Sequence, residues 1–283
     1  MTDMAYEGYS CLKIRVDRGV AFVTIDHPPI NLFDAALMSE INRVGQELEA
    51  DNDVRVIVFD SANPEFFIAH ADVSLIQQLP KEAPPRRSEL GFFHAMVDRF
   101  RTMPKATIAK LEGRARGGGS ELALSMDMRF AALGRALLSQ PEVAVGIIPG
   151  GSGTQRLPRL AGRARALEII LGCEDIPADL AERYGYVNRA LPPAELGPFV
   201  ERLAYRIASF SPEAIRLAKA AVDAAELPTL EGLLEEGHLF NQSVATPEAQ
   251  RRMASFMAAG GQTREAEMSM NPLDDVSLQA NGP

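Results

Sequence analysis

The chain is poor in cysteine, in histidine and in long apolar runs, and each shortage closes off a class of function. Its 2 cysteines, Cys11 and Cys173, follow no metal-binding or redox spacing and read as small core residues. The 4 histidines, His27, His70, His94 and His238, form no HExxH pair and no Cys/His cluster, which argues against a zinc site. No stretch approaches the roughly 18 consecutive apolar residues of a membrane span. The opening MTDMAYEGYS is neither basic nor followed by an apolar core, so it does not read as a secretory signal. Positive charge is also short: 29 Lys+Arg against 38 Asp+Glu leaves a formal charge of −9, which opposes broad contact with nucleic acid or anionic lipid. The expectation is a soluble, cytoplasmic protein that binds neither. A small phosphate-bearing ligand stays admissible, since it needs only a few local cations and backbone N–H groups.

What is present is an ordinary globular composition. With 283 residues, 46% hydrophobic and 24% charged, the chain fills the core of one large or two smaller domains. CLKIRVDRGVAFVTID reads as two strands about a turn at residues 17–19. Asp34 is placed to cap a helix carrying Leu37, Ile41, Val44 and Leu48 on one face. VRVIVFD is a buried strand, HAMVDRFRTM a helix and ATIAKLEG a strand, an alternation that predicts an α/β unit with parallel pairing. Beyond about Gly162 the balance tips to helix. GRARALEIILG ends at Gly172 and PADLAERYG at Gly185, while Ser211-Pro212-Glu213 and Thr246-Pro247-Glu248 are two further helix starts. Residues 1–192 are expected to form the α/β core, 193–262 a helical section for oligomerisation, and 263–283, with little apolar periodicity, a mobile tail.

One stretch raises a chemical question. RARGGGSELALS sets Gly117, Gly118 and Gly119 directly before a helix whose first turn carries Glu121. A glycine-rich strand-to-helix turn exposes N–H groups at the positive end of a helix dipole, which suits a negative or developing-negative oxygen. Glycines that merely permit a tight turn are the structural alternative. No GxGxxG and no GxxxxGK[ST] occurs, so nucleotide fingerprints are not supported. A second acid, Glu142, lies in LLSQPEVAVGIIPG. Each acid alone passes as a turn or first-turn residue. Two carboxylates near free N–H donors are what general acid/base chemistry beside an oxyanion requires.

FFIAHADVSLI, GRARGGGSELALSMDMRFA and SQPEVAVGIIPGGSGTQRLPRLAG, in that order, resemble the enoyl-CoA hydratase/isomerase (crotonase) family over nearly the whole chain. The resemblance implies a crotonase-like α/β fold, a repeated ββα spiral with a helical C-terminal trimerisation section. It implies an acyl-CoA thioester as substrate, no separate cofactor because coenzyme A is part of that substrate, and a homotrimer or a hexamer of paired trimers. Carried over by position, the N–H groups of Ala71 and Gly118 would bind the thioester oxygen. Glu121 would help remove a proton from the water attacking C3, and Glu142 would deliver a proton to C2. Ala71, Asp72, Val73 and Ser74, with the backbone near Ile30, would contact coenzyme A, and Phe256 would be supplied to the pocket by a neighbouring subunit. Residues 75–90 would belong to the acyl-chain wall.

The chain departs from the family pattern at His70, where glycine is common, and at Arg116, where a small or aliphatic residue is common. His70 is a further group that binds or shapes the thioester site, or a loop residue facing solvent; Arg116 pairs with a coenzyme A phosphate or with an acidic neighbour. Pro29 and Ser74 stand where cations are often found. Both glutamates together favour hydration of 2-trans-enoyl-CoA over double-bond isomerisation, thioester hydrolysis or decarboxylation, and over a non-catalytic acyl-CoA-binding role. PGGSGTQR has Thr154 where a GxSxG nucleophile turn needs glycine, so Ser152 reads as a helix-start residue.

Overall fold

The computed structural model describes residues 6–82, 84–86, 88–223 and 229–269. The chain runs through β1 (Leu12–Asp17), β2 (Val20–Ile25), α1 (Ala35–Ala50), β3 (Val56–Ser61), β4 (Phe66–Ile68), α2 (Val73–Gln77), α3 (Phe92–Thr102), β5 (Ala106–Leu111), β6 (Arg114–Arg116) and α4 (Gly118–Leu124). It continues with β7 (Met128–Ala132), β8 (Leu137–Ser139), a 3₁₀ turn (Glu142–Val145), α5 (Gly153–Ala161), α6 (Arg163–Gly172), β9 (Ile176–Pro177), α7 (Ala178–Tyr184) and β10 (Arg189–Leu191). Five helices follow: α8 (Pro193–Ala208), α9 (Pro212–Asp223), α10 (Thr229–Val244), α11 (Pro247–Ala258) and α12 (Arg264–Ser269).

The strands sort into two sheets in the order β1-β2-β3-β5-β7-β10 and β4-β6-β8-β9. Each of the pairs β3/β4, β5/β6 and β7/β8 sends its first strand to the large sheet and its second to the small one, and like strands pair in parallel. This is the repeated ββα spiral expected above. The period of two along β2 explains how the large sheet is covered on both sides. Ala21, Val23 and Ile25 face Leu37, Ile41, Val44 and Leu48 of α1, while Val20 and Phe22 face Leu196, Val200, Ala204 and Ala208 of α8. Asp34 accepts the Leu37 N–H as the cap of α1, as its position in the sequence implied.

Two helices bear on the expected boundaries. Helix α8, which starts at residue 193, covers the large sheet's second face. The expected mobile tail from residue 263 begins with helix α12, and its Glu267 is 3% exposed. That helix is short and half charged, so apolar periodicity gave no signal; polar contacts hold it, together with Met268 packed against Ile30, Phe66 and Ala69. The rest of the expected tail, residues 270–283, lies outside the described residues. Among the described residues, no helix is long and apolar enough to cross a membrane.

Candidate active site

The small sheet delivers two loops to one place. After β4, the chain passes through His70 and Ala71 to Asp72, whose carboxylate accepts the Ser74 N–H and caps α2. Phe33 pairs alongside: its N–H donates to the His70 carbonyl at 2.9 Å, and its carbonyl accepts the Asp72 N–H at 3.2 Å. A planar trans peptide sets N–H and C=O in opposite directions, so the Ala71 N–H points away from Phe33. After β6, the glycines turn the chain into α4. Gly117 takes φ +48°, and Gly119 lies so close to β4 that a Cβ there would come within 2.6 Å of the Ile68 carbonyl. Gly118 is the first residue of α4, and its N–H has no acceptor one turn back in that helix. A Cβ built on Gly118 would be 3.3 Å from the Ala71 Cβ and 3.6 Å from its nitrogen. The two residues therefore lie side by side although 47 positions separate them in the chain.

Glu121 follows in α4 with 4% exposure. Its Oε1 accepts the N–H groups of Gly151 and Gly153 at 2.7 and 2.9 Å. These amides belong to the start of α5, so the carboxylate rests against the positive end of a second helix. Glu142 opens the 3₁₀ turn after β8. Its Oε1 lies beside Gly117, where a Cβ would meet it at 2.9 Å.

Ala71, Asp72, Gly118, Glu121 and Glu142 line a single cavity of about 350 Å³. Leu75, Ile76, Leu79, Pro85, Glu89 and Leu90 form part of its wall, as expected for residues 75–90. Two contributions were not foreseen. Helix α10 closes the cavity with Leu233 and Phe240, and α3 adds Phe93 and His94. The apolar spacing in LEGLLEEGHLF suits an amphipathic helix but carries nothing about what that helix covers. A second cavity, about 550 Å³, lies between α9 and the core and contains neither glutamate.

Five expected binding residues are not among those lining the cavity. Ile30 is 1% exposed, packed with Phe66 and Ala69, and its carbonyl accepts the Ala69 N–H. Val73 is turned under α2 into a cluster with Val145, Val244 and Met253. Ser74 has its N–H on Asp72. Phe256 joins the Val73 cluster within its own chain, its ring edge-on to His70 at 5.8 Å. His70 is buried, with Nδ1 2.8 Å from the Ala71 carbonyl and Nε2 2.6 Å from Glu267 Oε1. It does not face solvent. Arg116, 1% exposed, makes a two-pronged pair with Asp175 at 2.8 and 2.6 Å and also approaches Glu267, which decides for an acidic neighbour over a phosphate.

Known proteins agree with this architecture. The family model described as enoyl-CoA hydratase/isomerase matches residues 15–261. The short-chain-enoyl-CoA hydratase of Clostridium acetobutylicum is 33% identical over 240 residues, 84% of this chain and 91% of that protein. The crotonyl-CoA hydratase of Syntrophomonas wolfei is 34% identical over 257 residues, 90% of this chain and 96% of that protein. The crystal structure of a putative enoyl-CoA hydratase from Streptomyces avermitilis superposes with a TM-score of 0.87 at 39% identity, covering 96% of this chain and all of that one. On the strength of the spiral fold and a family match over most of its length, the chain belongs to the enoyl-CoA hydratase/isomerase family of enzymes.

Proposed function

We propose that the protein adds water to 2-trans-enoyl-CoA thioesters, giving 3-hydroxyacyl-CoA. What supports this reading is that Ala71, Gly118, Glu121 and Glu142 line one cavity, with Gly118 beside Ala71. In the proposed reaction the thioester oxygen sits between the Ala71 and Gly118 N–H groups, which stabilise it as it becomes enolate-like. One such preorganised donor contributes roughly 3 kcal/mol to a barrier of this kind. Water attacks C3 while Glu121 accepts its proton, and Glu142 gives a proton to C2. The sum is H at C2 and OH at C3, with the thioester intact. Both protons need a carboxylate, because an enolate left unprotonated expels the hydroxyl again. No separate cofactor takes part, since coenzyme A is the handle of the substrate.

The hydratase names of the Clostridium and Syntrophomonas relatives support the same reaction. Two acids facing one cavity also favour hydration over isomerisation, in which one carboxylate carries the proton and no water is positioned. The exposed apolar residues Phe210, Leu217 and Val222 in and beside α9 support self-association of the C-terminal helices, which sedimentation in solution tests.

The test is the ultraviolet loss of the conjugated enoyl-thioester absorbance over a series of acyl lengths. Glu121→Gln and Glu142→Gln should each lower kcat by about a hundredfold or more with bound substrate retained. If either variant changes KM alone, the two-carboxylate mechanism fails. If the wild type moves the double bond without adding water, the isomerase reading replaces it.

A further inference from the structure

The mechanism above leaves unused the buried histidine beside Ala71. His70 stands immediately before Ala71, and both of its ring nitrogens face acceptors. Nδ1 meets the Ala71 carbonyl and Nε2 meets Glu267 Oε1, which also accepts the Gln262 N–H at 3.0 Å. A neutral imidazole carries one N–H and satisfies one such acceptor; two acceptors call for the doubly protonated ring. Electrostatics agree. Burial pushes His70 towards neutrality, but the Glu267 charge and hydrogen bond, with the Ala71 carbonyl, outweigh it and hold the imidazole above its ordinary value; Arg116 opposes. Burial likewise raises Glu267, and the charge and hydrogen bond of His70 with the charge of Arg116 overcome it, so this carboxyl lies below its ordinary value.

The surrounding charges come from four sides. Glu267 reaches in from α12, and Arg116 from β6 with Asp175 behind it. Asp72 lies on the same loop, and the Glu142 carboxylate lies across Gly117 from the His70 Cβ. The chain arrives there by a turn bent around Phe256. Gly261 packs on that ring so closely that a Cβ would come within 2.4 Å, and Gln262 takes φ +68°. Three more contacts bind this segment to the site loop and to its small sheet. Gln262 donates to Asp72 at 3.1 Å, Arg264 pairs with Glu65, and Arg114 reaches the Met268 carbonyl at 3.4 Å.

We propose that Glu267 is a positioning residue: its carboxylate holds His70 as an imidazolium that grips the Ala71 carbonyl, so the docking of α12 aims the Ala71 amide into the cavity. The catalytic part of this proposal rests on the reading of Ala71 as a thioester-oxygen donor; the docking does not. Helix α12 is thereby part of the site's machinery although none of its described residues lines the cavity.

The test uses the full chain and butyryl-CoA carrying ¹³C at the thioester carbonyl, which binds without reacting. Difference infrared should show the bound carbonyl stretch displaced to lower wavenumber in the wild type, with about half of that displacement lost in Glu267→Gln. Hydration of crotonyl-CoA by the variant should lose about tenfold in kcat with KM within about twofold. In ¹⁵N spectra of the imidazole, His70 should carry two ring protons at pH 7 in the wild type and fewer in the variant. An equal carbonyl displacement in both proteins, or a singly protonated His70 in the wild type, overturns the proposal. No displacement in the wild type overturns the donor reading of Ala71 and the catalytic half of the proposal, while the ¹⁵N spectra still decide the link to α12. Should Glu267→Gln unfold, His70→Gln reads the link from the other side: a lost carbonyl displacement supports it and an intact one overturns it.

Discussion

Glu121 and Glu142 share one cavity but arrive there by different means. Glu121 is held by main chain, since two amides at the start of α5 converge on one of its oxygens. Glu142 is delivered by the path of its own backbone, at the first residue of a 3₁₀ turn, with Gly117 keeping clear the space its carboxylate uses. The difference teaches that the two carboxylates depend on different neighbours: Glu121 on the amides that grip one of its oxygens, Glu142 on the room that the missing Cβ leaves at Gly117. The first device ties the acid's position to folding stability. The second ties it to a single hydrogen atom's worth of room.

That contrast can be broken at four points. Glu121→Ala removes the acid and leaves two buried N–H groups without their acceptor, so turnover should fall by about a hundredfold or more. Urea unfolding should also reveal a loss of about 2–4 kcal/mol, at about 1–2 kcal/mol per orphaned donor. Glu121→Gln keeps an acceptor oxygen and should spare most of that stability, so equal unfolding midpoints for the two variants would undo the distinction. Gly151→Ala places a methyl group 2.3 Å from Glu121 Oε2 and 2.4 Å from the Phe93 ring. It should lower kcat by roughly tenfold or more while leaving coenzyme A affinity, read by calorimetry, nearly unchanged. Gly117→Ala meets Glu142 Oε1 at 2.9 Å and demands φ +48° of a residue with a Cβ. The strained backbone alone costs about 1–3 kcal/mol, and turnover should drop less than for Gly151→Ala, where the added methyl group meets both Glu121 and the Phe93 ring.

The smallest effect on turnover belongs to a pair far from the cavity. Lys219 of α9 donates to Asp127 at 2.9 Å and to the carbonyls of Phe100 and Lys105. Burial dominates there: Asp127 is raised above 3.8 and Lys219 lowered below 10.5, both towards the neutral form. In the His70–Glu267 pair mutual attraction dominates and both groups lean towards charge. The pH responses therefore differ in sign. The His70 contribution is complete below pH 6.5 and fades as pH rises through its raised value, and that of Glu267 is complete above pH 4.5 and fades as pH falls through its lowered value. The stability gap between wild type and Glu267→Gln, about 2 kcal/mol, should be widest between pH 4.5 and 6.5 and narrow on both sides in urea titrations. Lys219→Met should leave kcat unchanged and cost roughly 2 kcal/mol. That cost should shrink as pH falls and Asp127 takes up its proton; a cost that grows on acidification would show the pair to be balanced the other way.

Much of the fold was legible because it depends on local periodicity and end signals. The alternation in VAFVTI, the cap at Asp34 and the stop at Gly185 all act within a few residues of themselves, while α6 runs through Gly172 and is capped by left-handed Cys173. The turns at Gly117–Gly119 and before Glu142 were legible for a related reason, since glycine, proline and acid have strong positional preferences at helix starts, whereas Ala71 was singled out only by the family resemblance. Glu267 was not legible. It sits in a polar hexapeptide, and its role comes from a partner 197 positions away. Phe240 and Leu233 were likewise invisible as cavity walls, because an amphipathic helix declares that it covers something without declaring what.

The amino-acid order by itself determined the strands, the helices, the glycine turn and the acid that follows it, since backbone preference and hydrophobic period operate over a turn or two of chain. Only the tertiary structure decided that Ala71 and Gly118 lie side by side. It also decided that Gly151 and Gly153 hold Glu121, that Arg116 answers Asp175, and that a helix near the end of the described chain reaches back to His70. These are pairings between charges and main-chain groups far apart in sequence. Their geometry exists only once the spiral has stacked the small sheet, because electrostatic fit is set by distances that no linear spacing contains.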